Sequence, residues 1–112
     1  MTQSTYENTE TQPGATELTE SERFRLLAVE RRRDTLAVVT DRPAPFELTD
    51  LATAVATRER DVETPAEETV EEVAVSLHHV HLPLMDDLGI IDYVPDTNRL
   101  EACYASPDVL SH

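Results

Sequence analysis

Three of the four histidines fall within four positions, as His78, His79 and His81, and their type and spacing could support metal chemistry. On a helix, His78 and His81 are three residues apart and could share one ion, with Cys103 as a further ligand, while His79 points elsewhere. Structural zinc sites usually carry paired Cys or His at fixed spacing, which this sequence lacks. We therefore expect the histidines to serve packing or an interface, without a metal or other cofactor.

Motifs for catalysis are missing from the sequence. Gly14 and Gly89 are its two glycines, so a Gly-rich phosphate loop cannot form, and neither GxSxG nor HExxH occurs. The neighbouring carboxylates Asp86 and Asp87 are most simply the solvated end of a helix. We expect a protein that is not an enzyme and that has no small-molecule substrate.

The arginines suggest contact with phosphate groups. All nine basic residues are Arg, and three of them are consecutive, whereas lysine is absent. Polar residues on the outward arc of a long predicted helix could add base contacts. The candidate DNA-binding residues are Arg31, Arg32, Arg33, Ser76, His79 and Arg99. The alternative is that each Arg pairs with a nearby carboxylate on a solvated face.

Composition points to a salty cytoplasm. The net charge is −14, with 23 acidic residues and no lysine. Such a surface stays hydrated in molar salt, where a Debye length of about 3 Å screens the repulsion between carboxylates. One cysteine excludes an internal disulfide, and no apolar run approaches the ~20 residues of a membrane span. The N-terminus has no basic segment followed by an apolar one, so we expect a cytoplasmic protein.

Residues 1–17 are polar and acidic, which predicts a disordered tail before a folded domain over 18–104 and a C-terminal tail over 105–112. Thr19 and Glu22 form a capping-box pattern that opens a first helix. A second helix contains the Arg run and ends before Pro43, and Thr49 is the predicted cap of a third.

The second half of the domain predicts a long helix followed by a hairpin. Thr64 to Glu67 is a further capping box, and Gly89 is the expected residue after the helix end. Pro83 lies inside this helix and should loosen it. Extended segments over 90–94 and 99–104 flank a turn. The predicted fold is mainly α with a small β-hairpin, the layout of a winged helix-turn-helix.

Residues 75–94, VSLHHVHLPLMDDLGIIDYV, carry a family resemblance. Ser76, His79, Leu84, Gly89 and Ile90-Ile91 resemble the SxHLxxLxxxGLV pattern that closes the long helix in arsenic-repressor-type winged-helix regulators. The HHVHLP string and the Arg run are more closely similar to a haloarchaeal winged-helix domain family of unknown function, over about residues 21–104. This resemblance implies a winged-helix fold and a role in DNA binding, and it implies no catalytic residue.

The long helix has two apolar faces and an acidic start. A second apolar set lies roughly 120° from the predicted core stripe. It consists of Val75, His78, Leu82 and Met85. We expect this set to form a homodimer interface, and the alternative is that the wing and the N-terminal helix cover it.

The first turns of the same helix argue against reading of the DNA major groove. They carry Glu67, Glu68, Glu71 and Glu72, and no Arg occurs from 61 to 98. Two hypotheses therefore stand. The first is a homodimeric DNA-binding transcriptional regulator that contacts double-stranded DNA. The second is a winged-helix protein–protein interaction module that does not bind DNA.

Overall fold

The computed structural model describes residues 18–111, which are mainly helical with a small three-stranded antiparallel sheet. The elements are α1 Glu20–Leu27, α2 Glu30–Asp41, β1 Phe46–Glu47, α3 Leu48–Arg60, α4 Glu67–Ser76, a π-helical turn Leu77–His81, α5 Leu82–Asp87, β2 Ile91–Val94, β3 Arg99–Cys103 and a 3-10 helix Pro107–Ser111. The predicted mainly helical class with a β-hairpin is confirmed at this level. The tail predicted over residues 1–17 lies outside the described residues.

A third strand joins the predicted hairpin. The sheet order is β1–β3–β2, and Phe46 of β1 pairs with Leu100 of β3. Two residues are too few to show an alternating pattern, so the sequence does not predict this strand. Phe46 and Leu100 are both buried, so the sheet closes the core on one side.

Two helix-end predictions are confirmed. The Thr19 hydroxyl accepts from the Glu22 N–H at 3.0 Å, and the Glu22 carboxylate accepts from the Thr19 N–H at 3.0 Å. At the far end of α5, Gly89 has φ +82 and its N–H donates to the Asp86 carbonyl at 2.9 Å. The Ile90 N–H donates to the Met85 carbonyl at 3.2 Å, which completes a Schellman motif.

Two predicted caps are wrong. α3 begins at Leu48 without a side-chain cap, since the Leu48 N–H donates to the Asn98 carbonyl at 2.9 Å and the sheet sets where the helix starts. α4 begins at Glu67 after Ala66, so Thr64 does not cap it. Carboxylates in the first turn of α4 interact favourably with the helix dipole instead.

The long helix contains a π-helical turn that shifts its faces. The Leu82 N–H donates to the Leu77 carbonyl, five residues back, and Pro83, which has no N–H, follows directly. Compared with an α-helix the turn holds one extra residue, so every later side chain is rotated by about 100°. Leu82 and Met85 thereby enter the core, while Val80 within the π-helical turn is 52% exposed.

The core lies between the helices and the sheet. Its fully buried large side chains include Leu26, Leu36, Leu51, Val55, Val73, Leu77, Leu82, Met85, Ile90, Ile91 and Leu100. Residues 105–110 are folded onto the domain, since Val109 is buried and its carbonyl accepts from Arg23 Nη1 at 2.6 Å. The predicted C-terminal tail over 105–112 is therefore wrong for residues 105–110. In the described part of the chain, no helix is both long enough and apolar enough to cross a membrane.

Candidate functional site

Arg31, the first of the candidate DNA contacts, is held by a carboxylate. Its Nε and Nη2 both donate to Glu59, with Nη2 3.0 Å from Oε1. The hydrogen bond to Glu59 raises the pKa of Arg31 against the opposing effect of burial, and the charges of Glu59, Glu72 and Asp34 raise it further. A planar, two-point pair of this kind largely neutralises the guanidinium, so Arg31 is not available as a phosphate contact.

Arg32 lies inside the domain and is 8% exposed. Its Nε donates to the Leu26 carbonyl at 3.1 Å, and its Nη2 donates to the Arg25 carbonyl at 2.8 Å. Carbonyls in the last turn of a helix have no hydrogen-bond donor within that helix, so Arg32 caps the C-terminal end of α1 by donating to two of them. Its Nη1 lies 3.2 Å from His81 Nδ1 in the π-helical turn. The prediction of a DNA contact at Arg32 is wrong, because burial removes its guanidinium from the surface.

The other candidate DNA contacts differ in accessibility. Arg33 is exposed and donates to the Leu27 carbonyl, and His79 is exposed as well. Ser76 is half-buried. Arg99 donates to Glu47 at 2.8 Å and lies 3.3 Å from Glu101, so carboxylates flank it on the sheet. A continuous stripe of unpaired arginines from the Arg run to the wing is therefore not formed.

The predicted dimer face is not one surface. Val75 is 59% exposed, whereas Leu82 and Met85 are fully buried within the single chain. His78 is half-buried, and its Nδ1 lies 2.7 Å from the Tyr93 hydroxyl. The prediction is wrong for Leu82 and Met85, because the extra residue of the π-helical turn rotates them inward.

His78 and Tyr93 connect the π-helical turn to the sheet. Burial raises the pKa of Tyr93, which keeps its hydroxyl protonated and able to donate to His78. The Tyr93 N–H donates in turn to Asp86 Oδ2 at 2.8 Å. Asp86, expected as a merely solvated carboxylate, thus fixes the position of β2 against α5.

His81 is the buried histidine of the three, at 7% exposure. Arg32 can only donate, so His81 Nδ1 must accept and the ring proton sits on Nε2. Burial, together with the charges of Arg32 and Arg31, lowers the pKa of His81 to about 4, against the opposing charge of Glu59. Burial lowers the pKa of Arg32 as well, and the positive charge of Arg25 is a smaller cause in the same direction. His81 is therefore a neutral imidazole at physiological pH.

The three histidines and Cys103 do not converge. His78 faces Tyr93, His81 faces Arg32, and the thiol of Cys103 lies 3.7 Å from the Ala105 carbonyl. Burial raises the pKa of Cys103, which keeps it a thiol. Over residues 18–111, no group of three His, Cys, Asp or Glu side chains is placed to hold a metal ion.

The Arg32–His81 contact could not be read from the sequence. The two residues are 49 positions apart, and each belongs to a different polar run. The Arg run suggests a surface, and the π-helical turn that carries His81 inward has no clear signature other than Pro83. Only the packing of α2 against the π-helical turn shows that both residues belong to one buried network.

We expect a loss of stability between pH 7.5 and pH 5 that depends on His81. Its pKa is about 4 in the folded chain against an ordinary value of 6.5, so the unfolded chain binds the proton first as the pH falls. This difference lowers the free energy of unfolding by about 2 kcal/mol at pH 5. Urea unfolding at both pH values measures it.

The matched variants for this measurement are His81→Gln and His79→Gln. Glutamine at 81 retains an acceptor for Arg32 but does not titrate, so the pH-dependent loss should shrink by that amount. His79 is exposed, and its replacement should leave the loss unchanged. Equal pH dependence in wild type and His81→Gln would show that His81 is not the group responsible.

Two surface features lie apart from the buried Arg32–His81 network. On α1, Phe24 is 75% exposed, the highest value among the exposed large hydrophobic side chains of the described chain. On α4, the carboxylates of the first two turns are all exposed. They belong to Glu67, Glu68, Glu71 and Glu72.

Comparison with known proteins places the chain in a family without giving an activity. No curated protein and no solved structure matches the chain. One family model, described as a domain of unknown function, matches residues 24–101, which is more than half of the sequence. That match spans α2 with the Arg run, the π-helical turn with His81, and the hairpin as far as residue 101 in β3. The chain therefore belongs to the family described as Domain of unknown function (DUF7344).

Proposed function

We propose that the protein is a winged-helix domain that acts as a homodimeric protein-interaction module. The order of elements matches the layout of a winged-helix domain. It runs from α2 through β1 and α3 to the long helix formed by α4 and α5, and ends in the β2–β3 hairpin. The net charge of −14 without lysine fits a salt-adapted, haloarchaeal type of cytoplasm. The comparisons supply the family but no activity, so the proposal is based on the surfaces of the chain.

The charges of α4 favour a protein partner over DNA. In a helix-turn-helix, the first turns of the second helix face the base edges. Here those turns expose carboxylates, which would meet the phosphates of a duplex with like charge. Two of the candidate arginines are already paired, Arg31 with Glu59 and Arg99 with Glu47, so they offset these carboxylates less.

The exposed face of α1 is the observation that carries the proposal. Phe24 is 75% exposed, and the half-buried Leu27 and exposed Ala28 lie three and four residues further along the same face. Val29, 39% exposed, continues the apolar surface into the turn before α2. A contiguous apolar surface around an exposed aromatic ring is typical of a protein interface.

Charge complementarity favours a second copy of the chain as the occupant. α1 has Glu20 and Glu22 in its first turn and Arg25 in its last turn. A two-fold axis that pairs two α1 helices antiparallel places the acidic end of one against the basic end of the other. The same symmetry stacks the two Phe24 rings near the axis, where both are removed from water.

We expect the wild-type chain to be a dimer at tens of micromolar in molar potassium chloride, as measured by light scattering after size exclusion. Phe24→Glu should weaken the dimer by at least about tenfold, because it places two like charges at the centre of the interface. The matched control is Val75→Glu, since Val75 is 59% exposed but lies on α4. A monomeric wild type, or equal effects of the two substitutions, would contradict the proposal.

A DNA-binding transcriptional regulator is the second candidate, and the winged-helix layout favours it. Arg33 and His79 are the exposed members of the predicted contact set. The dimer samples can be titrated with a labelled random-sequence duplex in the same salt series. If the wild-type protein binds the duplex and Arg33→Glu abolishes this binding, the DNA-binding regulator becomes the better hypothesis. If no duplex binding occurs at any salt concentration, the result supports the interaction module.

A further inference from the structure

We propose that a cleft beside His81 binds a small monocarboxylate ligand. The cleft has a volume of about 380 Å³ and is bounded by the turn between α1 and α2, the last turn of α3, and the π-helical turn. Its lining residues are Val29, Glu30, Arg31, Glu59, Arg60 and His81. A volume of this order is within the range of small-molecule sites.

A buried donor lines this cleft. His81 is 7% exposed, and its Nδ1 accepts from Arg32, so the proton is on Nε2 at the other side of the ring. Among residues 18–111, no side chain or carbonyl accepts a hydrogen bond from Nε2. Buried N–H donors in proteins nearly always have an acceptor, and a ligand oxygen in the cleft would supply one here.

The charges of the lining residues favour an anion. Arg60 is exposed, and no described residue forms an ion pair with it, whereas Arg31 is already held by Glu59. A carboxylate can accept from His81 Nε2 with one oxygen and from the Arg60 guanidinium with the other. Arg32 lies behind the imidazole, on the Nδ1 side of the ring opposite the ligand, and its positive charge adds to the attraction for an anion at Nε2.

The same charges limit the ligand to a monoanion. Two carboxylates, those of Glu30 and Glu59, line the cleft beside two guanidinium groups. A doubly charged anion, such as the dianionic form of inorganic phosphate, would meet stronger repulsion from Glu30 and Glu59 than a monoanion does. A monocarboxylate needs one available cation and one neutral donor, which Arg60 and His81 provide. This site does not depend on the proposed dimer.

The test follows the imidazole nitrogens of the full-length, ¹⁵N-labelled protein by NMR. Potassium acetate replaces potassium chloride at constant ionic strength, and we expect a saturable shift of His81 Nε2 while exposed His79 does not move. Arg60→Gln should weaken acetate binding by at least about tenfold. Arg58→Gln is the matched control, because Arg58 lies on the same helix and is exposed but pairs with Asp34.

Three results would overturn the proposal. The first is the lack of a saturable shift at His81. The second is equal weakening by Arg60→Gln and Arg58→Gln, which would show a general charge effect. The third is tighter binding of inorganic phosphate than of acetate in the same titration, which would exclude the monocarboxylate. Since Arg60 is exposed, its substitution is not expected to unfold the chain, and the folded state is checked by the unchanged Tyr93 and Leu100 amide signals.

Discussion

Replacing Arg32 with alanine should lower the free energy of unfolding by about 3 kcal/mol, whereas the same change at the neighbouring Arg33 should cost less than about 0.5 kcal/mol. The two residues belong to one run of arginines but have opposite environments. Arg32 is 8% exposed and donates hydrogen bonds to the Leu26 carbonyl, the Arg25 carbonyl and His81 Nδ1. Without it, two carbonyls and one imidazole nitrogen lose their charged donor in a buried place.

Urea unfolding of both alanine variants in molar potassium chloride measures this difference. Arg32→Lys is a useful third variant, because an ammonium group keeps the charge but cannot reach three acceptors with a planar fork. It should therefore recover only part of the loss. Similar losses for Arg32→Ala and Arg33→Ala would mean that the buried network does not stabilise the fold.

The second large effect is expected at Leu82. Leu82→Ala should lower the free energy of unfolding by about 3 kcal/mol, because it opens a cavity in a core where Leu82 is fully buried. Val75→Ala should change it by less than about 0.5 kcal/mol, since Val75 is 59% exposed on the outer side of α4. Thermal and urea unfolding of the two variants give the comparison.

This pair also tests the register of the long helix. If the helix ran on without the π-helical turn, Leu82 would lie near Val75 on the surface and its loss would be mild. Light scattering of the same samples measures whether the chain is still a dimer, and so distinguishes a core role of Leu82 from an interface role. A Leu82→Ala chain that keeps its stability but loses its dimer would show that the π-helical turn is not formed.

Local chemistry explains which parts of the fold the sequence predicts. The Thr19–Glu22 box, the stop at Gly89 and the hairpin from 91 to 103 each depend on residues a few positions apart. Their side chains or φ angles select one backbone conformation without help from the rest of the chain. The acidic start of α4 is likewise visible in the sequence, and the structure leaves it exposed.

The remaining features depend on contacts between distant segments. Thr49 fails as a cap because β1 pairs with β3 and sets the start of α3 through the Asn98 carbonyl. The apolar periodicity of the long helix is read at a constant 100° per residue, and a single extra residue before Pro83 is enough to rotate all later side chains by about 100°.

The sequence by itself therefore determined the mainly helical class with a hairpin, the start of α1, the end of α5, and a strongly acidic composition without lysine. Tertiary structure alone decided that Arg32 is buried while Arg33 is exposed, and that Leu82 and Met85 belong to the core. It also decided that His81 lies against Arg32 at the edge of a cleft. The physical reason is that residue type sets what a side chain can do, whereas burial and partners come from how α1, α2 and the π-helical turn pack together.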